Sequence, residues 1–416
     1  MIHSISKKKQ NIFIIMFIIM YLLITKGMKF SGWTLIPMSS NLRYCVLFIL
    51  PIYTIYASYQ KHKYNSKMYN KKTFKYFIYA CIISFLLRNI FYDRGLGYGL
   101  ESNLFVSFMF CSYFIFNYLR ISESVLLKSI TIIGLIAFCI QVFQQINPHL
   151  AMFSMYTEEM RDEMGLSSDY IIGQRNGLYR FIPIAVNIPV FLVCYYFSKV
   201  VSNFKFIYLL LACAFLVSMY LMLTRMFIVS TVISCTYILF SLNNVKKSKI
   251  GIIVVLLGIV IISIFYSDYL FSSLFSSNES DVDYSSKARL DCIPFLLKQA
   301  IDNPLLLIFG HGYPCLLWKW GANFGYWYND IGIIGQIYTY GLIWIFVYLK
   351  IVYWLLVKMK RNIPLYIRGY MFGMFCICFM MPTYANSLES TLLWCIILYI
   401  SDLYLNKSKQ TDNNVI

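Results

Sequence analysis

Apolar residues in this chain gather into long runs separated by short polar connections. The runs fall at about 11–25, 44–59, 75–92, 103–119, 129–145, 181–198, 206–223, 226–241, 250–266, 331–357, 365–382 and 388–405. A bilayer core is crossed by about 20 apolar helical residues, and helices are the one open-chain structure that satisfies its own backbone in hydrocarbon. The pattern therefore predicts an all-α polytopic membrane protein of about twelve transmembrane helices, with 1–416 forming a single integral-membrane domain. The first run is expected to stay in place. Lys7, Lys8 and Lys9 precede it, but Lys26, Gly27, Met28 and Lys29 after it offer no small-x-small cleavage site.

Composition strengthens this picture. With 59% hydrophobic and 13% charged residues, too little polar surface is left for a cytosolic globular enzyme. The net charge of +18 is scattered between apolar runs rather than gathered on one face, which argues against nucleic acid as a partner. With the N-terminus placed inside, alternate connections hold 22 of the 36 Lys and Arg against three acids, Glu123, Asp402 and Asp412. That asymmetry orients the chain with both termini cytoplasmic. Of the twelve cysteines, ten lie in apolar runs as small core residues. Cys376 and Cys378 have a C-x-C spacing, but nothing is positioned to complete a metal site, so no metal or cofactor is expected. Cys292 and Cys315 fall in a hydrophilic stretch and could pair in an oxidising compartment.

Two connections are long, about 146–180 and 267–330, and both are expected on the outer side. Long ordered loops in compact proteins are usually functional. In the second, Ser285 or Ser286 can cap a helix near 287–301, with Ile293, Leu296, Leu297, Ala300 and Ile301 at helical spacing and Asn303-Pro304 ending it. This loop should contain short surface helices. Arg289, four residues before Ile293, projects from the apolar face, either as an interface anchor or as part of a site.

No phosphate-binding Gly-rich loop, H-E-x-x-H pair or nucleophile elbow is present. Arg175, Arg180, Arg225 and Arg289 all fall on the outer side, against the overall charge trend. Each alone could pair with a loop acid such as Glu158, Glu159 or Asp162; together they suit the oxygens of a phosphate or pyrophosphate. His311, in Gly310-His311-Gly312-Tyr313-Pro314, is a candidate general base or a turn residue that bonds its own backbone. Asp330 is the competing base or a helix cap. Tyr313, Trp318, Trp320, Tyr326, Trp327 and Tyr328 could stack on sugar rings or form an interfacial aromatic belt.

Three stretches together resemble the O-antigen polymerase and O-antigen ligase superfamily. The first is Gly173-Gln174-Arg175-Asn176-Gly177-Leu178-Tyr179 at the end of the first long loop. The second is Leu223-Thr224-Arg225 between two spans, where the family's Ser and following Gly are absent. The third runs from Arg289 through Asn303-Pro304 and Gly310-His311-Gly312 to Tyr328-Asn329-Asp330-Ile331-Gly332, Gly335 and Tyr340-Gly341. Where ligases tend to carry His-Asn, this chain has Tyr328-Asn329, which leans toward polymerase. The resemblance implies a glycosyltransferase acting on polyprenyl-pyrophosphate-linked oligosaccharide, with membrane lipid and a chain-length regulator protein as partners. Arg175, Arg225 and Arg289, with Arg180, would hold pyrophosphate, and His311 or Asp330 would act as base. Two rivals stay open: a lipid-linked oligosaccharide flippase, which would need polar residues lining a central cavity, and a ligase, which differs in its acceptor.

Overall fold

The computed structural model describes residues 7–30, 38–59, 68–92, 104–147, 152–153, 174–175, 178–179, 181–222, 224–241, 290–298, 301–302, 304–311, 331–381 and 387–413. Within them the fold is all-α apart from one pair of two-residue strands. The principal helices are α1 (Lys7–Ile24), α2 (Met38–Tyr59), α3 (Lys71–Tyr92), α4 (Phe105–Leu119), α5 (Glu123–Ile146), α6 (Asn187–Ser202), α7 (Phe206–Leu221) and α8 (Arg225–Phe240). They continue with α9 (290–298), α10 (Pro304–Phe309), α11 (Gly332–Tyr340), α12 (Leu342–Tyr353), α13 (Leu365–Ile377) and α14 (Leu388–Asn413). Eleven of the twelve apolar runs coincide with helices; the run 250–266 lies outside the described residues.

Two of these helices, Glu123–Ile146 and Leu388–Ser408, are long and apolar enough to cross a membrane. Others, among them Phe105–Leu119, Asn187–Ser202 and Phe206–Leu221, are apolar but shorter. Large apolar side chains also face outward along most helices, including Ile12, Ile15 and Ile19 on α1, Ile52 and Ile55 on α2, Phe206 and Leu210 on α7, and Val232 and Phe240 on α8. Such continuous apolar exposure is rare on a protein surrounded by water.

The run 331–357 is not one helix. It breaks at Gly341, whose φ of 81° ends α11 and whose missing side chain leaves room for the backbone of Ile308 and Gly310. A Cβ on Gly310 would in turn strike the backbone of Thr339 and Tyr340. The two glycines let α10 and the α11–α12 corner meet backbone to backbone.

A second close approach joins α8 to α13. Gly369 and Gly373 face Ser230, Ser234 and Ile238, and a Cβ on Gly373 would fall on the Ser230 carbonyl and the Ser234 hydroxyl. Small residues four apart on both partners are the usual means of close helix packing where no water drives association. Elsewhere the core is aromatic: Trp344 stacks on Tyr348 at 5.4 Å, and Tyr348 meets Trp394 at 5.9 Å.

Polar ties fasten one end of the bundle. Tyr366 and Tyr404 hydroxyls donate to Glu123 at 2.8 and 3.3 Å, Tyr399 donates to the Ile121 carbonyl at 2.5 Å, and Tyr113 donates to the buried Asp402. Together they join α4, α5, α13 and α14.

Candidate functional site

At the opposite end of α5, glutamines stand one helical turn apart. Gln145 grips the backbone of Tyr179, accepting from its N–H at 3.0 Å and donating to its carbonyl. Gln141, fully buried, donates to the carbonyls of Phe181 and Ser218, each at 3.2 Å, and accepts from the Ser218 hydroxyl at 2.6 Å. An amide has few bonds to give, and Gln141 spends three of them joining α5, α7 and the segment that enters α6. Arg180 lies between the two residues so held. Just upstream, Arg175 pairs with Leu178 and Gln174 with Tyr179 in an antiparallel hairpin, connected by Asn176-Gly177, a dipeptide favoured in two-residue hairpin turns.

Arg225 is the first residue of α8, seven positions after the Ser218 that Gln141 binds. Before it, the Thr224 hydroxyl closes onto the Met222 carbonyl at 3.1 Å, and Met222 and Thr224 are buried. The backbone of Arg175 and the start of α8 at Arg225 thus lie at one end of the bundle, where α5 and α7 finish; Arg180 lies outside the described residues.

The other predicted residues sit elsewhere. His311 is wholly buried. Its ring stacks on Tyr338 at 4.1 Å with an 8° interplanar angle, and the His311 backbone N–H donates to the Tyr338 carbonyl at 2.8 Å. Gly310 donates to the Leu306 carbonyl at 2.6 Å and accepts from the Ser84 hydroxyl at 3.3 Å. What approaches this glycine is therefore α11 and α3. Expected in an open outer turn, His311 lies instead within helix packing.

Arg289, Gly312, Tyr328, Asn329 and Asp330 lie outside the described residues, as does Cys315. The elements beside them are described. The expected helix near 287–301 is present over 290–298, and its Cys292 and Leu296 pack with Ile331 and Tyr338 in a small apolar cluster. Arg289 directly precedes one side of this cluster and Asp330 the other. Among the described residues no group of three or more His, Cys, Asp or Glu is arranged to hold a metal ion.

Several residues that shape this end of the bundle were passed over in the sequence. Gln141, Gln144 and Gln145 interrupt the apolar run 129–145 and its edge, and polar residues inside a span are costly enough to signal a role. Glu389, in the first turn of α14, counts in the sequence only as one more outer acid. Its neighbour Ser390 donates to Asn187 at 3.3 Å, at the start of α6.

No known family matches the chain, and no curated protein is similar to it.

Proposed function

We propose that this protein is a bacterial inner-membrane glycosyltransferase that polymerises polyprenyl-pyrophosphate-linked repeat units into O-antigen or a related surface polysaccharide. In this reading the chain crosses the membrane about twelve times with both termini inside. The energy for transfer is stored in the glycosyl-pyrophosphate bond, so no nucleotide is needed at the outer face. Fixed guanidinium groups would hold the pyrophosphate and stabilise the charge that grows on it as it leaves.

The observation that supports this most is that the glutamines of α5 bring the hairpin that carries Arg175 and the α7–α8 corner that carries Arg225 to one end of the bundle. Arg175 and Arg225 are 50 residues apart in sequence, and the resemblance singles out both. The broken helix α11–α12 would favour a flippase if it lined a polar cavity. Here the break is filled by Ile308 and Gly310 backbone, which favours chemistry at the outer face.

The test is a polysaccharide ladder on a gel from cells lacking the gene, with and without the gene supplied in trans. A single repeat on the lipid core, restored to a ladder by the gene, is the expected result. Bare core would overturn it: long polymer building up on the prenyl carrier would then point to a ligase, and its absence to a flippase.

A further inference from the structure

Glu389 and Tyr21 share a pocket between α1, α5, α6 and α14 whose remaining lining is Phe, Ile and Leu. The pocket has room for about one water-sized group, such as a hydroxyl. Glu389 is half-buried at its edge. Tyr21 is 1% exposed, and its hydroxyl, close enough to Glu389 and the Ala185 backbone to feel both, makes no hydrogen bond of ordinary geometry among the described residues. A buried hydroxyl left without a partner is costly, so one that opens on a small pocket beside a carboxylate marks a place for a polar ligand group. Apart from these two, the described lining holds no titratable or charged side chain.

The pocket adjoins the arginine segment. Ser390 is bonded to Asn187, and Ala185 and Asn187 belong to the stretch that starts at Phe181, whose carbonyl Gln141 holds. A carboxylate lining a pocket inside a membrane bundle, next to the segment that Gln141 fastens at Phe181, is a functional arrangement by default.

We infer that Glu389 is the proton acceptor for glycosyl transfer, with Tyr21 positioning the acceptor hydroxyl; this rests on the polymerase reading above. The acceptor oxygen forms a bond to the anomeric carbon of the donor sugar. The bond from that carbon to the pyrophosphate oxygen breaks, and its electron pair leaves with the polyprenyl pyrophosphate. The acceptor proton passes to the Glu389 carboxylate and from there to water.

The full-length protein in lipid nanodiscs, supplied with the lipid-linked repeat unit extracted from cells that lack the gene, gives the readout as chain growth on a gel. Glu389→Gln is expected to slow growth by about 100-fold or more, to remove the acid limb of the rate–pH profile, and to leave binding of the lipid-linked unit unchanged. Tyr21→Phe should raise the KM for the acceptor while keeping that limb. Growth by Glu389→Gln at the wild-type rate with the acid limb intact overturns the assignment and leaves the polymerase reading standing. No growth by the wild-type protein overturns both. If Glu389→Gln does not fold, Glu389→Asp decides: a slowed rate with a displaced acid limb supports the role, and an unchanged limb overturns it.

Discussion

Gln141 joins a loop carbonyl and two atoms of Ser218 across separations of 40 and 77 residues, so replacing it tests whether the arginines need a fixed frame. Gln141→Leu removes the side-chain partner of the Phe181 carbonyl and of the Ser218 hydroxyl, at about 1–3 kcal/mol for each that stays buried and dry, while the Ser218 carbonyl keeps the Met222 N–H at 3.2 Å. The expected outcome is a melting temperature lowered by several degrees in detergent, with polymer length falling further than the loss of folded protein accounts for. Full-length polymer at a lowered melting temperature would show the clamp to be structural alone. Alanine at Arg175, Arg180 or Arg225 should instead leave the melting temperature in place and cut polymer yield by about 100-fold or more, the usual scale for removing a donor to developing charge. Unchanged long-chain polymer in all three, at normal protein level, would remove the pyrophosphate site. The residues of this site were unevenly legible. The arginines stand out because they defy the charge trend. The glutamines are visible as polar residues in an apolar run, but their partners come from distant segments that no local pattern connects. His311 reads in sequence as a turn residue because Gly310 and Gly312 flank it. Its burial follows from α10 packing into the α11–α12 corner, which hydropathy does not encode.

The apolar runs located the helices because a helix in an apolar setting needs a long apolar stretch, but the observed ends differ from the runs by up to eight residues where both are described, since capping residues and amphipathic ends extend or shorten a helix without changing hydropathy. The break at Gly341 escaped for a physical reason. Glycine is common inside membrane helices, so one glycine in an apolar run carries no sign of the positive φ that ends α11. Gly310→Ala tests this corner: its φ of 89° and the backbone of Thr339 and Tyr340 against its Cα should cost roughly 1–3 kcal/mol or more, read as a lowered melting temperature. The α8–α13 contact makes a sharper prediction. A leucine at Gly373 would drive side-chain atoms into the Ser230 backbone, which cannot yield without parting the helices. Gly373→Leu should therefore leave little folded protein in the membrane fraction, whereas Val232→Leu, on the outward face of α8, should be neutral. Equal yields of the two variants, measured by size-exclusion chromatography, would mean that α8 and α13 do not pack in this way.

At the scale of the whole molecule, the two sets of polar contacts occupy opposite ends of the same helices. Glu123 begins α5 and Gln141 and Gln145 end it; Glu389 begins α14 and Asp402 and Tyr404 lie toward its far end. Twenty-four residues of α5 at about 1.5 Å each span about 36 Å, slightly more than the roughly 30 Å hydrocarbon core. Each set would then sit at or near one membrane face, with the outward apolar side chains between them. Loop charge decides which face is which. The Glu123 end adjoins the Lys-rich connections, so it should be cytoplasmic, and the glutamine and Glu389 end should be outside. Reporter fusions test this directly. A reporter active only outside the cytoplasm should be active after residues near 160 and near 310 and silent after residues near 65, 245 and 410. Activity near 160 and near 245 alike would break the alternation that places the arginines outside. Chemistry on a lipid-linked sugar already carried across the membrane would then lose its site, however well the arginines cluster, because the donor and the residues meant to hold it would face different compartments.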